Sequence, residues 1–227
     1  ARLFDNANYR AEVANHWRGA LKAVTRLGLP AILGLENGAA ARRDLSDRLG
    51  LEVFEIPILP PSVPGMRLFE VLRGAVESAG GRVTLGPAVK GWVERTRAVG
   101  VIAETASGPR QYSARSIILA SGGFRHGGLV APTRGQVSET VFDLPVAAGE
   151  EWFAPLYWEA QPYARFGVRV NARMQPVDAK GKAIYPNVFA VGGLLAGADR
   201  TGEGSREGID LATAWKVVNG LGQRING

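Results

Sequence analysis

Tyr185-Pro-Asn-Val-Phe-Ala-Val-Gly-Gly-Leu-Leu-Ala-Gly-Ala-Asp199, continuing through Gly202-Glu-Gly-Ser-Arg-Glu-Gly208 into a helical pattern, decides the fold. An apolar run that ends on paired glycines, Gly192 and Gly193, and then turns through a Gly-rich loop into a helix brings bare backbone up to a ligand. The helix N-terminus adds partial positive charge, which favours an anion. Half of a ligand cradle is legible here.

The customary other half is not. A dinucleotide-binding unit opens with a strand, a G-x-G-x-x-G turn and a helix, with an acidic residue about twenty positions on. Gly202, Gly204 and Gly208 come nearest, with the wrong last spacing and no strand directly before them. The chain begins at Ala1 rather than an initiating Met, in a polar stretch, and reads as the C-terminal part of a longer protein.

The 227 residues suit one large domain or two small ones, and 46% hydrophobic residues can bury a core. Without cysteine there is no disulfide scaffold, thiolate chemistry or Cys-ligated metal, and two histidines, His16 and His126, leave little for a metal site. The net charge of +6 raises nucleic acid as a partner. The basic residues are interspersed with acidic ones, however, which reads as a solvated surface and not a nucleic-acid face. No apolar run reaches the length of a membrane span, so membrane contact is expected to be peripheral.

Apolar spacing predicts a helix over residues 8–27, capped by Asn6 or Asn8 and stopped by Gly28 and Pro30. A buried strand is expected at 31–35, a helix carrying Leu45 and Leu49 that ends at Gly50, and a strand at 53–59. The Pro-rich loop 60–65 suits a crossing between domains. The next helix opens at Ser62 or Pro64, has the apolar face Leu68, Leu72, Ala75 and Val76, and closes at Gly80-Gly81. The period then switches to two: strands at 82–85, 88–95, 98–105 and 111–114 form a β-meander running into Ser116-Ile-Ile-Leu-Ala-Ser-Gly-Gly-Phe124. Residues 125–165 read mostly as loop, 165–172 as a strand, and Leu211, Ala214, Trp215 and Val218 as the apolar face of a last helix ending at Gly220.

From the residues alone, several roles stay open. Gly122-Gly123 either pass against a ligand or end a strand in a turn, and Ser205 either serves the ligand or caps the last helix. Asp199 either meets ligand hydroxyls or caps the turn. His126 is either a general base or a loop histidine.

The segment from Ser116 to Phe124 resembles a strand end of two-dinucleotide-fold flavoproteins, and Tyr185-Pro-Asn-Val-Phe-Ala-Val-Gly193 resembles their C-terminal flavin-contacting motif. With Leu59-Pro-Pro-Ser-Val-Pro-Gly-Met-Arg-Leu68, Gly127-Gly-Leu-Val-Ala131, Phe153-Ala-Pro155, Gln161-Pro162 and Phe166-Gly-Val168, nearly the whole chain resembles the C-terminal half of a subunit family of anaerobic glycerol-3-phosphate dehydrogenase. The resemblance implies flavin-linked oxidation of sn-glycerol 3-phosphate to dihydroxyacetone phosphate. Electrons would pass through a partner flavoprotein subunit and an iron–sulfur, membrane-associated subunit to quinone. It also implies a cytoplasmic protein, peripheral at the inner face of the membrane.

The expected fold class is accordingly α/β, the C-terminal part of a two-dinucleotide-binding flavoprotein with a mixed sheet, meander and helices. Residues 60–124 and 165–227 are expected to complete the flavin domain, and 1–59 and 125–164 to form a cap over the substrate. The resemblance places FAD or FMN against Ser121, Gly122, Gly123, Gly192, Gly193, Asp199, Gly204, Ser205 and Gly208, assigns catalysis to His126 and Arg125, and assigns the phosphorylated polyol to Arg67, Arg134 and Arg165; no metal is expected. This stretch of chain by itself is expected to be inactive and not to retain the flavin. The chain departs from the family at Arg206 and Glu207, which stand where relatives carry glycine. Two alternatives remain: a fumarate-reductase-like or ketosteroid-dehydrogenase-like flavoenzyme, or a structural or electron-relay subunit without turnover.

Overall fold

In the computed structural model, residues 1–86, 88–133, 136–200, 202–205 and 207–225 are described, the side chains up to residue 222. The chain has a mixed α/β architecture of small sheets and helices, divided into two units, residues 1–85 and 86–227. Residues 60–85 thus belong with the first unit.

In the first unit, helix α1 (Ala7–Trp17) starts where the Asn6 side chain accepts the Asn8 N–H at 2.8 Å. The helix expected to reach residue 27 ends at Trp17, because Leu27 and Leu29 are needed in a strand, half-buried against the core of Phe4, Ala14, Leu33, Leu45 and Val53. That strand, β1 (Arg26–Pro30), contains both residues expected to stop the helix. Gly28 stands opposite Phe54 and its bare α-carbon receives the aromatic ring, whose Cζ is 2.8 Å from where a Cβ would stand. Helix α2 (Gly38–Leu49), capped by Asn37 and closed by left-handed Gly50, crosses to β2 (Glu52–Ile56), which pairs parallel to β1 from Arg26↔Glu52 to Pro30↔Ile56.

The apolar run at 31–35 is buried, as a strand would be, yet forms none. Its amides find other acceptors: Ala31 N–H donates to Ile56 O (3.0 Å), Leu33 N–H to Glu55 Oε1 (2.8 Å) and Leu35 N–H to Asp5 Oδ2 (2.9 Å). Helix α3 (Val63–Ser78) is capped by Ser62, which accepts the Gly65 N–H at 3.1 Å. Its expected apolar face is not buried: Leu68 is 58% and Leu72 57% exposed. The strand expected at 82–85 is absent, and that stretch follows left-handed Gly80 without ladder partners.

The second unit opens with the expected meander, β3 (Val89–Glu94), β4 (Arg97–Thr105) and β5 (Gly108–Ser113), in the order β3-β4-β5. The chain then enters β6 (Ile117–Leu119). Two small antiparallel pairs follow: β7 (Leu129–Val130) with β8 (Ser138–Glu139), and β9 (Val146–Ala147) with β10 (Gly167–Val168). Strand β11 (Val188–Ala190) returns parallel to β6, pairing Val188↔Ile117, Phe189↔Ile118 and Ala190↔Leu119. Asn187, 4% exposed, ties the meander to this pair, its Nδ2 donating to Ala98 O (2.7 Å) and Arg115 O (3.1 Å). The core gathers Leu119, Leu129, Phe142, Leu144, Phe166, Val168, Val188, Phe189, Leu194 and Val217.

Helix α4 (Glu207–Ile225) continues past Gly220 and Gly222, with Leu221 packed against the core. Its buried face is Val217, flanked by half-buried Asp210, Thr213 and Leu221. The face expected to be buried is outward, with Leu211 72%, Trp215 71% and Val218 57% exposed. The helix is apolar on two sides, so periodicity finds the helix and not the side that packs.

Candidate functional site

β6 and β11 are parallel neighbours, and both run out at their carboxyl ends into glycine pairs. Val191 N–H extends the ladder to Leu119 O (3.0 Å); beyond it come Ser121-Gly122-Gly123 on one chain segment and Gly192-Gly193 on the other. Ligands of open α/β sheets settle in such a crevice. A Cβ on Gly123 would stand 2.9 Å from Gly193 O, a contact only glycine avoids. Gly122 and Gly192 turn there with φ of 72° and 68°, the left-handed region that favours glycine.

A tight turn follows the first pair. His126 N–H and Gly128 N–H both donate to Gly123 O at 3.2 Å, so the His126 side chain folds back on Gly122, its Nδ1 3.1 Å from where a Cβ on that glycine would lie. His126 and its neighbour Arg125 are exposed. Phe124 faces Trp152 and Tyr163, centroids 6.1 and 6.4 Å away, and Trp152 meets Phe166 edge-on at 5.1 Å. The loop beyond is anchored by Glu139, 2% exposed, whose carboxylate accepts the N–H groups of Val141 (2.8 Å) and Phe142 (2.7 Å).

The second pair is held by α4. Gly192 N–H donates to Thr213 Oγ1 (2.9 Å), and that hydroxyl donates to Ile209 O (2.6 Å). Asp199, 6% exposed, accepts the Gly202 N–H at 2.8 Å and so caps the turn. Gly204 has φ 63°, and Gly208 N–H closes on Ser205 O at 2.7 Å as α4 begins. Two buried hydroxyls, Ser121 Oγ and Ser205 Oγ, have no hydrogen-bond partner among the described residues.

The glycine pairs, Ser121, His126, Asp199 and the start of α4 thus belong to one unit. Arg165 is exposed and its carbonyl accepts the Gly197 N–H at 2.8 Å. Arg67 belongs to the first unit, where Nη1 and Nη2 grip Glu55 at 2.7 and 2.9 Å and Nε donates to Gly34 O at 2.7 Å. Arg134 and Arg206 lie outside the described residues. Sequence reading missed Arg200, Asp210 and Thr213. Asp210 and Thr213 are spaced i, i+3 with Val217 one turn further, a stripe concealed by the stronger apolar one. Arg200 carries no local signal at all.

No cluster of metal-ligating side chains occurs among the described residues, and no helix among them is long and apolar enough to cross a membrane.

The FAD binding domain family matches residues 3–209. The chain is 33% identical over 221 residues, 96% of its length, to a protein of Halobacterium salinarum named as a probable subunit of anaerobic glycerol-3-phosphate dehydrogenase, of which it covers 52%. It is 31% identical over 218 residues to the corresponding anaerobic glycerol-3-phosphate dehydrogenase subunit of Yersinia pseudotuberculosis, covering 94% of this chain and 50% of that one. It is 34% identical over 203 residues to the protein of that name in Actinobacillus pleuropneumoniae, covering 86% and 46%. The chain spans about half the length of these relatives. No solved structure matches it.

Proposed function

This chain belongs to the FAD binding domain family, and from that premise we propose that it is part of a flavin-dependent dehydrogenase that oxidises sn-glycerol 3-phosphate to dihydroxyacetone phosphate. The observation that carries the reading is the meeting of Gly123 and Gly193 at the carboxyl ends of two parallel strands. The residues fit a flavin. Ser121 Oγ and Ser205 Oγ are buried and unpartnered beside the glycines and the helix N-terminus, and a polar cofactor would satisfy them. Gly193 has room for a Cβ, with only ordinary contacts at 3.5 Å and beyond, so packing within the protein does not demand glycine there. FAD, the ligand after which the family is named, is proposed over FMN.

A bound flavin would accept the hydride leaving the carbinol carbon. His126, exposed beside Gly122, would take the hydroxyl proton, a task suited to an imidazole at neutral pH. Arg125 and Arg165, exposed in the same unit, would hold the phosphate as forked donors, with Arg134 a further candidate from its place in the sequence. Arg67 is already engaged by Glu55 and Gly34, and we assign it to the fold. The backbone at Gly204 and Gly208 would lie toward the anionic edge of the ring, where a helix N-terminus contributes on the order of 1 kcal/mol. The proposal extends to a two-dinucleotide fold completed by further chain and to partner subunits, since the relatives are named as one subunit of a dehydrogenase. An iron–sulfur subunit at the membrane would carry electrons to quinone.

One observation favours the relay reading. The first turn of α4 already carries Glu207 and Asp210, which complement the helix dipole themselves and compete with an anionic ligand. The experiment is a visible spectrum of the native gene product purified free of its partner subunits, whose own flavin and iron–sulfur bands would mask it, before and after anaerobic addition of sn-glycerol 3-phosphate. Flavin bands that bleach are the expected result. A colourless protein would favour the structural subunit, and a flavin indifferent to this substrate would favour the fumarate-reductase-like alternative.

A further inference from the structure

Asp210 lies against the α-carbon of Gly192, on the helix whose Thr213 receives the Gly192 N–H, and it holds Arg200 Nη2 at 2.8 Å. The Arg200 side chain lies along the second glycine: its Cδ and Nη1 are both 3.5 Å from the point a Cβ on Gly193 would occupy, and the Gly123 amide nitrogen is 3.6 Å from that same point. A guanidinium 29% exposed, paired with a carboxylate 40% exposed, therefore flanks the place where the two strand ends meet.

We propose that Arg200 and Asp210 form an opposed charge pair that sets how much negative charge the cradle accepts, Arg200 favouring it and Asp210 restraining it. The inference deepens the flavin reading above and rests on it. Two-electron reduction of a flavin at neutral pH leaves negative charge on the ring. A cation and an anion near one half-buried site act on that charge with opposite sign, and each is attenuated by the other. Arginine suits the task because it stays charged when partly buried, and its planar group can lie flat along a bare glycine backbone. A simple strap between loop and helix would require the same two contacts but would have no electrostatic sign.

The sign is what the test reads. The native gene product with its bound flavin is titrated with sulfite, which adds to oxidised flavin and leaves it negatively charged, and the midpoint potential is measured alongside. Arg200→Gln is expected to weaken sulfite binding about tenfold and to lower the potential by about 30 mV, the two-electron equivalent of that factor. Arg200→Lys should stay within about threefold of the parent protein. Asp210→Asn, which keeps the shape and removes the negative charge, should tighten sulfite binding. Melting temperatures confirm that each variant folds, and if Arg200→Gln does not, the sign of the Asp210→Asn change decides alone. Weakening in both variants, or no change in either, overturns the charge pair while leaving the flavin reading intact. A parent protein without flavin removes the reading beneath it, a different result from either.

Discussion

The carbonyl oxygen of Gly193 stands 2.9 Å from the point a Cβ on Gly123 would occupy, whereas a Cβ on Gly193 would meet nothing closer than 3.5 Å. Gly123 is therefore constrained by the fold, whereas the fold leaves room for a side chain at Gly193. Gly123→Ala is expected to cost about 1–3 kcal/mol, because the opposing atom is backbone and must shift. Gly193→Ala should stay within about 0.5 kcal/mol in chemical denaturation and, if the flavin lies there, lose cofactor affinity with stability retained. Equal loss of stability in the two variants would contradict the asymmetry.

Asn187 joins the meander to β11 through two carbonyls that sequence reading did not connect. Asn187→Ala leaves both acceptors short of a donor and opens a small void, at an expected cost of about 2–3 kcal/mol. Asn187→Asp should cost more, since an ionised carboxylate would face the carbonyl oxygens of Ala98 and Arg115. Thermal unfolding of the two variants ranks them; an aspartate variant as stable as the alanine one would argue against direct contact.

Glu139 is a buried carboxylate whose role is held within a few residues, accepting amides from Val141, Phe142 and, at 3.4 Å, Leu144. Glu139→Gln replaces one acceptor oxygen by an NH2 that must face an amide, and is expected to destabilise the 138–146 loop by about 1.5–3 kcal/mol. Faster hydrogen exchange at Phe142 and Leu144, with α4 unaffected, would be the local signature. Unchanged protection there would show that the loop stands without the carboxylate.

How far the fold could be read from sequence follows from where the deciding contacts lie. Caps are local, so Asn6, Ser62 and Gly50 act where spacing places them. The meander is also local, since its pairs are neighbours in sequence and the period of two survives. The end of α1 was not legible, because Leu27 and Leu29 are drawn into a strand by the distant β2, and Gly28 and Pro30 look the same as a helix stop or as strand residues. The buried 31–35 run imitates a strand while its amides use the carboxylates of Asp5 and Glu55. At the candidate site the glycine pairs were visible as pairs, and their adjacency is a property of β6 and β11 lying side by side. Arg200 could not be found, because its relation to Gly193 is one of position in space and leaves no trace in spacing or periodicity.

The first unit is expected to be acid-sensitive through Glu55 and Asp44. Arg67 beside Glu55, followed by the Leu33 amide, holds the Glu55 carboxyl below the usual carboxylate range against the opposing effect of burial. Arg48, then Arg10, does the same for Asp44. A folded-state pKa below the unfolded one means that the unfolded chain binds more protons between the two, so stability rises with pH across that interval. The contribution is fully present above the ordinary carboxylate values, near pH 4 to 4.5, and is lost as pH falls through the lower folded values. Glu55→Gln should remove part of this slope and cost about 1.5–3 kcal/mol at neutral pH, the range for a hydrogen bond to a charged group. Hydrogen exchange of the β2 and α2 amides between pH 6 and 3 provides the check, with the variant's protection declining less steeply than the parent's. Arg67→Gln should bring the Glu55 carboxyl back toward the ordinary carboxylate range, leaving Asp44 as it was, so that the unit loses less stability on acidification than the parent does; parallel pH profiles for parent and variant would refute the ion pair as the cause.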